Sequence, residues 1–274
     1  MARTGGTVSA LVSRLRRIGA HPRLQPAVAL VLRGRTTRTP ARFVARELLG
    51  RRVAARYRLR ESAMRVIVRH RTGDVVTLGE VFHRPDYAPP SPVAAVLGRA
   101  PRVLDLGANI GLFGAFVLGR WPSATVTAFE PDPDNADILR RTVALNGLAE
   151  RWHVEQAAAA AHDGELPFAA GGIALSRIDA GADARVPARD VLGLLADVDW
   201  LKLDIEGGEW AILGDPRLAR CAPPVVVLEY HPHLCPAPDP RAAVLDSLRA
   251  AGYTDIHELF TRTDGHGMLW AWRA

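Results

Sequence analysis

From residue 93 onward, short apolar runs alternate with segments whose apolar residues recur at helical spacing. The runs are rich in Val, Leu and Ala, as expected for strands that are buried on both faces. Repeated strand–helix units predict a mostly parallel sheet with helices on both faces. The pattern places strands at 102–106, 124–129, 152–158, 200–204, 225–229, 253–258 and 268–272, a short strand near 166–168, and helices at 111–118, 134–146, 189–195 and 241–251. The last two strands are close enough in sequence to form an antiparallel hairpin at one edge.

The chain before residue 93 has a different pattern. Its first 60 residues indicate short helical pieces, broken by Gly and Pro, with Arg on the polar faces. Their best helical stripe consists of Phe43, Val44, Leu48 and Leu49. Alternation at 64–69, a turn at 71–74 and an apolar run at 75–78 predict a β-hairpin. We therefore expect an Arg-rich helical extension at 1–60, the hairpin with a Pro-rich segment at 61–92, and an α/β domain at 93–274.

Charge is divided between these regions. Residues 1–84 contain 19 Arg and 4 acidic residues, whereas residues 85–274 contain 16 basic and 25 acidic residues, so a net charge of +15 precedes one of −9. A protein that coats nucleic acid would be basic throughout, so we expect no nucleic-acid partner. We interpret the Arg cluster of the first 60 residues as a solvated helical cap on an acidic domain. The alternative is contact with phosphate, a membrane surface or an acidic substrate.

Composition narrows the class of protein further. With 48% apolar and 23% charged residues, the chain can form a packed core. Cys221 and Cys235 are too few for a disulfide scaffold and have no zinc-type spacing with His, so we expect a reducing, cytoplasmic location. No run approaches the roughly 18 apolar residues of a membrane span, and no signal-peptide pattern is evident.

The strongest local motif is a strand that ends in a glycine-rich turn and opens a helix, at 103–114. Gly107 and Gly111 would allow a ligand to approach the backbone closely. Ligands of open α/β sheets bind beyond the carboxyl ends of the strands. Glu130 follows the next strand, 19 residues after Gly111, where a carboxylate can accept both hydroxyls of a ribose.

Two residues of this motif indicate which of two candidate cofactors the loop binds. A dinucleotide fold would carry a second glycine where this chain has Asn109, and the side chain would crowd a pyrophosphate. Asp105, two residues before the first glycine, is placed to meet a cationic end of a ligand. A ligand with a ribose at one end and an ammonium at the other fits S-adenosylmethionine better than NAD.

A second motif lies at 200–210, where Lys202, Asp204 and Glu206 alternate along a predicted strand and would share one face. Burying three ionisable side chains is costly unless they pair or act in chemistry. Lys202 is the one Lys in a chain with 34 Arg, which indicates a role that Arg cannot fill: a compact ammonium, or one that loses its proton. The alternative is a Lys–carboxylate pair that simply holds the strand end.

The next predicted strand ends at Glu229, shortly before His231. Because adjacent parallel strands end side by side, both residues are expected near Asp204. Asp204 or His231 would then serve as the base for a substrate hydroxyl, although His231 could equally be a loop residue packed on the sheet. A divalent metal ion is left open and not predicted, because the spacing of the candidate ligands matches no strong metal motif. Those ligands are Asp204, Glu206, Glu229 and His231.

Four segments together resemble the FkbM-type methyltransferases, class I S-adenosylmethionine-dependent enzymes typified by O-methylation of hydroxyls on natural products and sugars. They are Asp-Leu-Gly-Ala-Asn-Ile-Gly at 105–111, Phe-Glu-Pro-Asp at 129–132, Lys-Leu-Asp-Ile-Glu-Gly-Gly-Glu at 202–209 and Leu-Glu-Tyr-His at 228–231. The resemblance covers residues 64–272. It implies a Rossmann-like α/β fold with a mostly parallel seven-stranded sheet and helices on both faces. In this chain the helical extension and the hairpin come before that fold.

The resemblance also implies roles for individual residues. Cofactor contacts would come from Asp105, Gly107, Ala108, Asn109, Gly111, Glu130, Pro131 and Asp132, with Asp163 and Ser176 as weaker candidates near the adenine. The acceptor would face Lys202, Asp204, Glu206, Glu229 and His231.

The predicted function is methyl transfer from S-adenosylmethionine to a hydroxyl oxygen of a small molecule, such as a natural product or sugar of secondary metabolism. Transfer to an amine or carboxylate is one alternative. A non-catalytic S-adenosylmethionine-binding or scaffold protein is another, in which the Arg-rich arm would bind a partner. A homo-oligomer is left open.

Overall fold

A computed structural model describes residues 25–84, 86–169, 177–178 and 181–273. The first described elements are α1 (Gln25–Gly34), α2 (Pro40–Leu49), β1 (Ala54–Arg58), β2 (Arg65–Arg69), α3 (Asp74–Phe82) and α4 (Ser91–Leu97). Two helices begin the region, as predicted, but the predicted stripe on α2 is only partly correct. Phe43 is fully buried, whereas Leu48 and Leu49 are 62% and 87% exposed.

The predicted hairpin at 64–78 requires a correction. Its first strand is β2, which pairs antiparallel with β1, a segment placed inside the helical extension by the sequence pattern. The apolar second half of the predicted hairpin forms α3 instead. Val75, Leu78 and Val81 are buried in the main core at helical spacing. Tertiary packing of this stripe therefore outweighs the strand preference of a Val-Val-Thr sequence.

The elements of the α/β domain follow in chain order. They are β3 (Arg102–Leu106), α5 (Leu112–Arg120), β4 (Thr125–Phe129), α6 (Pro133–Asn146), β5 (Trp152–Glu155), β6 (Ala158–Ala160), β7 (Gly164–Ala169), β8 (Arg177–Ile178), β9 (Arg185–Asp190), a 3-10 helix (Leu192–Asp197), β10 (Trp200–Leu203), α7 (Glu209–Leu213), α8 (Leu218–Cys221), β11 (Val225–Tyr230), α9 (Pro240–Ala250), β12 (Asp255–Thr261) and β13 (Gly267–Trp272). Within these described ranges, no helix is long and apolar enough to cross a membrane.

Seven strands form the main sheet, in the order β12-β13-β11-β10-β3-β4-β5. β13 runs antiparallel to β11 and β12, and the remaining neighbours pair in parallel. The mostly parallel Rossmann-like sheet and its antiparallel edge hairpin are therefore confirmed. Alternate residues of β11 enter opposite cores: Val225 and Val227 share one with α5 and α6, and Val226 and Leu228 share the other with α7 and α9. Helices thus cover both faces.

Two other predicted elements have different boundaries. The predicted strand at 152–158 divides, because β5 ends at Glu155 and β6 joins a second sheet of order β6-β9-β7-β8. The predicted helix at 189–195 starts as strand β9, which pairs with both β6 and β7 before the 3-10 helix begins. In both cases pairing between distant segments decides the structure, and a local pattern does not contain that information.

The order of the strands reverses between β3 and β10. From β3 the chain adds β4 and β5 on one side, while β10, β11, β13 and β12 lie on the other. Asp105 and Lys202 are register partners across this junction. Such a reversal opens a crevice at the carboxyl ends of the strands. The fold therefore places the loops after β3, β4, β10 and β11 around one site.

Candidate active site

A cleft of about 830 Å³ opens at this reversal point. The loops after β3, β4, β10 and β11 line it, and α3 with neighbouring residues of the N-terminal region forms one wall. The predicted site residues in the lining are Gly107, Ala108, Asn109, Glu130, Pro131, Asp132, Lys202, Asp204, Glu206, Glu229 and His231. Asp105, Gly111 and Asp163 are not among the lining residues, and Asp163 instead accepts a hydrogen bond from the backbone of Asp190. Ser176 lies outside the described residues.

The two glycines of the loop after β3 allow close packing within the protein. Both have left-handed backbone angles, with φ of +79° at Gly107 and +84° at Gly111. A Cβ at Gly107 would overlap the main-chain oxygen of Asp204, and a Cβ at Gly111 would overlap Leu139 beside Trp152. The expected collision is therefore with neighbouring elements. Whether the main chain at Gly107 also touches a ligand stays a prediction.

Glu130, the carboxylate predicted for the ribose, holds this loop in place. Its Oε2 accepts a hydrogen bond from the Asn109 main-chain N–H at 2.7 Å. Its Oε1 accepts one from the main-chain N–H of Asp132 at 3.0 Å and one from Asn135 Nδ2 at 3.3 Å. Burial raises the pKa of Glu130 to about 7 despite these hydrogen bonds. Asn109 has a φ of +50°, a conformation that Asn adopts more readily than most residues.

Lys202 and Asp105 form a buried ion pair beneath the loop. Nζ lies 3.4 Å from Asp105 Oδ1 and 3.5 Å from Asp204 Oδ2, and donates to the main-chain oxygens of Leu106 at 3.2 Å and Gly107 at 2.6 Å. Burial alone would lower the pKa of Lys202, but the neighbouring carboxylates outweigh it and raise this pKa. Lys202 therefore keeps its proton. The cation that Asp105 faces within the protein is Lys202, and its contact with a ligand stays a prediction.

Glu206 does not continue the strand as expected. β10 ends at Leu203, and Glu206 lies in the following turn with a left-handed φ of +54°. The turn, rather than strand alternation, brings Asp204 and Glu206 to the same cleft. Burial, reinforced by the negative charge of Asp204, raises the pKa of Glu206 to about 7.

His231 is held by a carboxylate that the sequence interpretation did not assign to the site. Glu209 Oε1 accepts hydrogen bonds from the His231 main-chain N–H at 2.6 Å and contacts Nδ1 at 3.2 Å, and the Glu209 side chain is fully buried. Nε2 of His231 lies 3.4 Å from Glu206 Oε2. Burial would lower the pKa of His231, but Glu209, Asp204 and Glu206 together raise it to about 9. His231 is therefore an imidazolium at neutral pH, which disfavours it as a base.

Three further residues complete this end of the cleft. His266 Nε2 lies 2.6 Å from Glu229 Oε1, and its ring stacks on His231 with centroids 4.7 Å apart. Tyr87 Oη donates to Glu229 Oε2 at 3.4 Å. Burial and then the charge of Glu229 raise the pKa of Glu80, which lines the same wall. Glu209 belongs to one of the four family motifs, and Glu80 and Tyr87 belong to a segment that resembles the one before the family's core. The sequence assigned no role in the site to these residues or to His266.

Among the residues that the structure describes, two sets of three side chains place potential metal-ligand atoms within 4.8 Å of one another. One set is Glu229, His231 and His266, and the other is Asp204, Glu206 and His231. His and carboxylate donors together suit several divalent ions. These sets are where a metal ion would bind.

The cleft also fits the predicted S-adenosylmethionine. Its volume lies within the range of about 300–1,000 Å³ that is usual for small-molecule sites. A buried carboxylate, Glu130, lies at one end, and a group of acidic residues lies at the other, so both the hydroxyls of a ribose and a cationic group would meet suitable acceptors. The main chain at 107–109 forms the rim between them.

Comparison with known proteins identifies the family. Residues 105–254 match the model of the methyltransferase FkbM domain. A segment of 68 residues is 39% identical to methyltransferase sdnD of Sordaria araneosa, covering 25% of this chain and 26% of that protein, so the match spans about a quarter of the curated relative.

Solved methyltransferase structures are also similar. The FkbM methyltransferase of Methylobacillus flagellatus KT is 18% identical, with 73% of this chain and 54% of that chain covered and a TM-score of 0.47. A precorrin-6y C5,15-methyltransferase of Geobacter metallireducens GS-15 is 15% identical, with 67% and 86% covered and a TM-score of 0.40. The family assignment confirms S-adenosylmethionine as the predicted cofactor. The chain belongs to the FkbM family of methyltransferases.

Proposed function

We propose that this methyltransferase acts on a hydroxyl oxygen of a small natural product or sugar. The observation that carries the proposal is the convergence of Asp204, Glu206, Glu229, His231 and His266 at the end of the cleft next to the glycine-rich loop. When bound, S-adenosylmethionine supplies a methyl group on a positively charged sulfur, which is already an activated leaving group. The protein must therefore position the acceptor and remove its proton.

Cofactor binding is proposed for the loops after β3 and β4. Glu130 would accept the ribose hydroxyls, and the main chain at Gly107, Ala108 and Asn109 would lie against the ligand. Pro131 and Asp132 line the same end, and Asp132 also caps α6 by accepting from the main-chain N–H of Asp134. Asp105 and Gly111 would act indirectly, by supporting the loop from below.

Asp204 is the proposed base. Its side chain is 23% exposed and lines the cleft, and its Oδ2 lies 3.5 Å from the Lys202 ammonium. The protonated imidazole of His231 would instead donate a hydrogen bond that orients the acceptor. Lys202 uses its donors on Leu106 and Gly107, which supports a role in tuning Asp204 rather than in polarising the acceptor.

The charge of this end of the cleft favours a hydroxyl over a carboxylate acceptor. Glu80, Asp204, Glu206 and Glu229 line it, and a carboxylate substrate would add another negative charge to them. A hydroxyl can donate its proton to any of these groups. An amine acceptor is the remaining alternative, since acidic groups also attract an ammonium.

The test is to incubate the full chain with methyl-labelled S-adenosylmethionine and a panel of hydroxylated natural products and sugars, and to determine the mass and methyl position of each product. A methyl on nitrogen or on a carboxylate would refute the hydroxyl assignment. Cofactor binding by calorimetry without turnover on any acceptor would favour the non-catalytic alternative.

The base is tested with Asp204→Asn, and Asp246→Asn on the exposed face of α9 provides the control. We expect Asp204→Asn to reduce turnover about 10²–10⁴-fold while binding S-adenosylhomocysteine normally. The control variant should match the wild type in both measurements. Full turnover by Asp204→Asn would contradict the assignment.

A further inference from the structure

Arg69 is the last residue of β2, and its side chain extends from the antiparallel pair β1–β2, called here the N-terminal hairpin, to the end of the cleft that contains Glu130. Its Nε and Nη2 donate to the two carboxylate oxygens of Asp74 at 2.8 and 2.9 Å. The Arg69 main-chain N–H donates to the same carboxylate at 2.9 Å, and Asp74 is 3% exposed. A bidentate pair of this kind fixes the guanidinium in one position. From there Nη2 also donates to Asn135 Oδ1 at 2.5 Å.

Asn135 lies in the first turn of α6, and its amide is shared between two charged groups. Because Oδ1 accepts from Arg69, Nδ2 is left to donate to Glu130 Oε1 at 3.3 Å. The guanidinium and the carboxylate favour the same orientation of this amide, because its oxygen accepts from the cation and its nitrogen donates to the anion. Without Arg69, Asn135 loses one of its two charged partners, and its side chain holds the ionised Glu130 less firmly.

We infer that Arg69 is a positioning residue for S-adenosylmethionine, acting through Asn135 to hold Glu130 ionised and in place. The inference rests on the proposed role of Glu130 as the acceptor of the ribose hydroxyls. The same carboxylate holds the Asn109 main chain, so the hydrogen-bonded chain continues into the glycine-rich loop. Arg69 lies outside residues 105–254, the segment that matches the family. The N-terminal hairpin thereby takes part in cofactor binding.

The charges around this chain of contacts predict how binding depends on pH. Asp74, Asp132 and Asp134 face Arg69, and Asp132 also faces Glu130. A hydrogen bond to an ionised carboxyl lowers its pKa, so removing one from Glu130 raises the pKa further. The affinity for the cofactor then falls near neutral pH and recovers at higher pH, where Glu130 ionises again.

Asn146 offers a matched control on the same helix. It also joins α6 to β2, because its Oδ1 accepts from the Arg65 main-chain N–H at 2.9 Å and its Nδ2 donates to the Arg65 oxygen at 2.7 Å. It lies 11 residues after Asn135, about 16 Å along the helix. Asn146→Ala therefore weakens the docking of the hairpin without touching Glu130.

The experiment measures binding of S-adenosylhomocysteine by calorimetry at pH 7 and pH 9, on the full chain. The variants are Arg69→Ala, Asn135→Ala, their double variant, Asn146→Ala and Glu130→Gln. We expect Arg69→Ala and Asn135→Ala each to bind about fivefold more weakly at pH 7 and less than twofold more weakly at pH 9. The double variant should be no worse than either single one, and Asn146→Ala should bind like the wild type.

Three results would overturn the inference: equal losses in Asn146→Ala and Asn135→Ala, additive losses in the double variant, or losses that are the same at both pH values. If Arg69→Ala fails to fold because Asp74 loses its partner, the inference is tested by comparing Asn135→Ala with Asn146→Ala. It is overturned if these two variants lose the same affinity. Normal binding by Glu130→Gln would refute the proposed role of Glu130 itself. Weak binding by Glu130→Gln together with normal binding by Arg69→Ala would refute only the inference about Arg69.

Discussion

Replacing Lys202 with methionine would measure the energetic role of the one lysine in this chain. The ammonium lies 3.4 Å from Asp105 Oδ1 and donates to the main-chain oxygens of Leu106 and Gly107. Methionine is similar in length and carries no charge, so it fills the space while the charge is lost. Asp105, whose side chain has no exposed surface, then loses the cation it faces. Asp204 is 23% exposed and can turn to water.

The expected cost follows from the burial of Asp105. Removing one partner of a buried ion pair destabilises a fold by about 3–5 kcal/mol, because the remaining charge stays desolvated. For a chain of this size that lowers the melting temperature by roughly 10 °C. Burial already raises the pKa of Asp105, and loss of Lys202 raises it further. Since the folded pKa then exceeds the unfolded value of about 3.9, the cost is smallest at low pH and grows as the pH rises toward the folded pKa.

Thermal and chemical unfolding at pH 5 and pH 8 provide the measurement. We expect Lys202→Met to lose more stability, relative to the wild type, at pH 8 than at pH 5. Adding Asp105→Asn removes the uncompensated charge, so the double variant should recover a large part of the loss. The reasoning is refuted if the single variant stays within about 1 kcal/mol of the wild type at both pH values, or if the double variant is no more stable than the single one.

Three further predictions concern the same loops. Gly107→Ala should destabilise the fold by more than the roughly 1–2 kcal/mol of left-handed strain, because the new Cβ would also overlap the main-chain oxygen of Asp204. The control Gly193→Ala adds a Cβ in open space and should have the melting temperature of the wild type. In the cofactor-free protein, NMR should show His231 titrating near pH 9 rather than 6.5, and Glu209→Gln should lower that midpoint. Because the pKa of His231 is raised in the folded state, its contribution to stability is complete below about pH 6.5 and is lost as the pH rises through about 9. Lys202→Arg should lower turnover, because the larger guanidinium does not fit a site that is 5% exposed; full activity would show that the single lysine is coincidental.

Local sequence patterns were sufficient for the parts of the fold that depend on one segment at a time. The glycine-rich turn, its strand and the acid after β4 were predicted from spacing, and Glu130 lies at the cleft as expected. The strand at 225–229 was predicted from a run of apolar residues, which is typical of a strand that is buried on both faces. The ends of two predicted parallel strands then indicated that Asp204, Glu206, Glu229 and His231 lie close together, and the structure brings them together.

The features that sequence reasoning missed depend on contacts between distant segments. Residues 75–78 of α3 were predicted as a strand because they form an apolar run after a turn, and packing against the core makes this segment a helix. His266 directly precedes β13, which runs antiparallel to β11 with Gly267 opposite Tyr230. An antiparallel neighbour brings its beginning to the edge where parallel strands end. Inspection of strand ends alone therefore cannot find His266.

The division of charge along the chain has a specific consequence at the Glu130 end of the cleft. Arg69 belongs to the region of net charge +15, and two of the acidic residues that it faces, Asp132 and Asp134, belong to the region of net charge −9. Arg69 follows the first 60 residues, whose Arg cluster we interpret as a solvated cap, and its own guanidinium is bound by Asp74 and Asn135. In our proposal, this cation from the basic region orders the Glu130 end of the cleft.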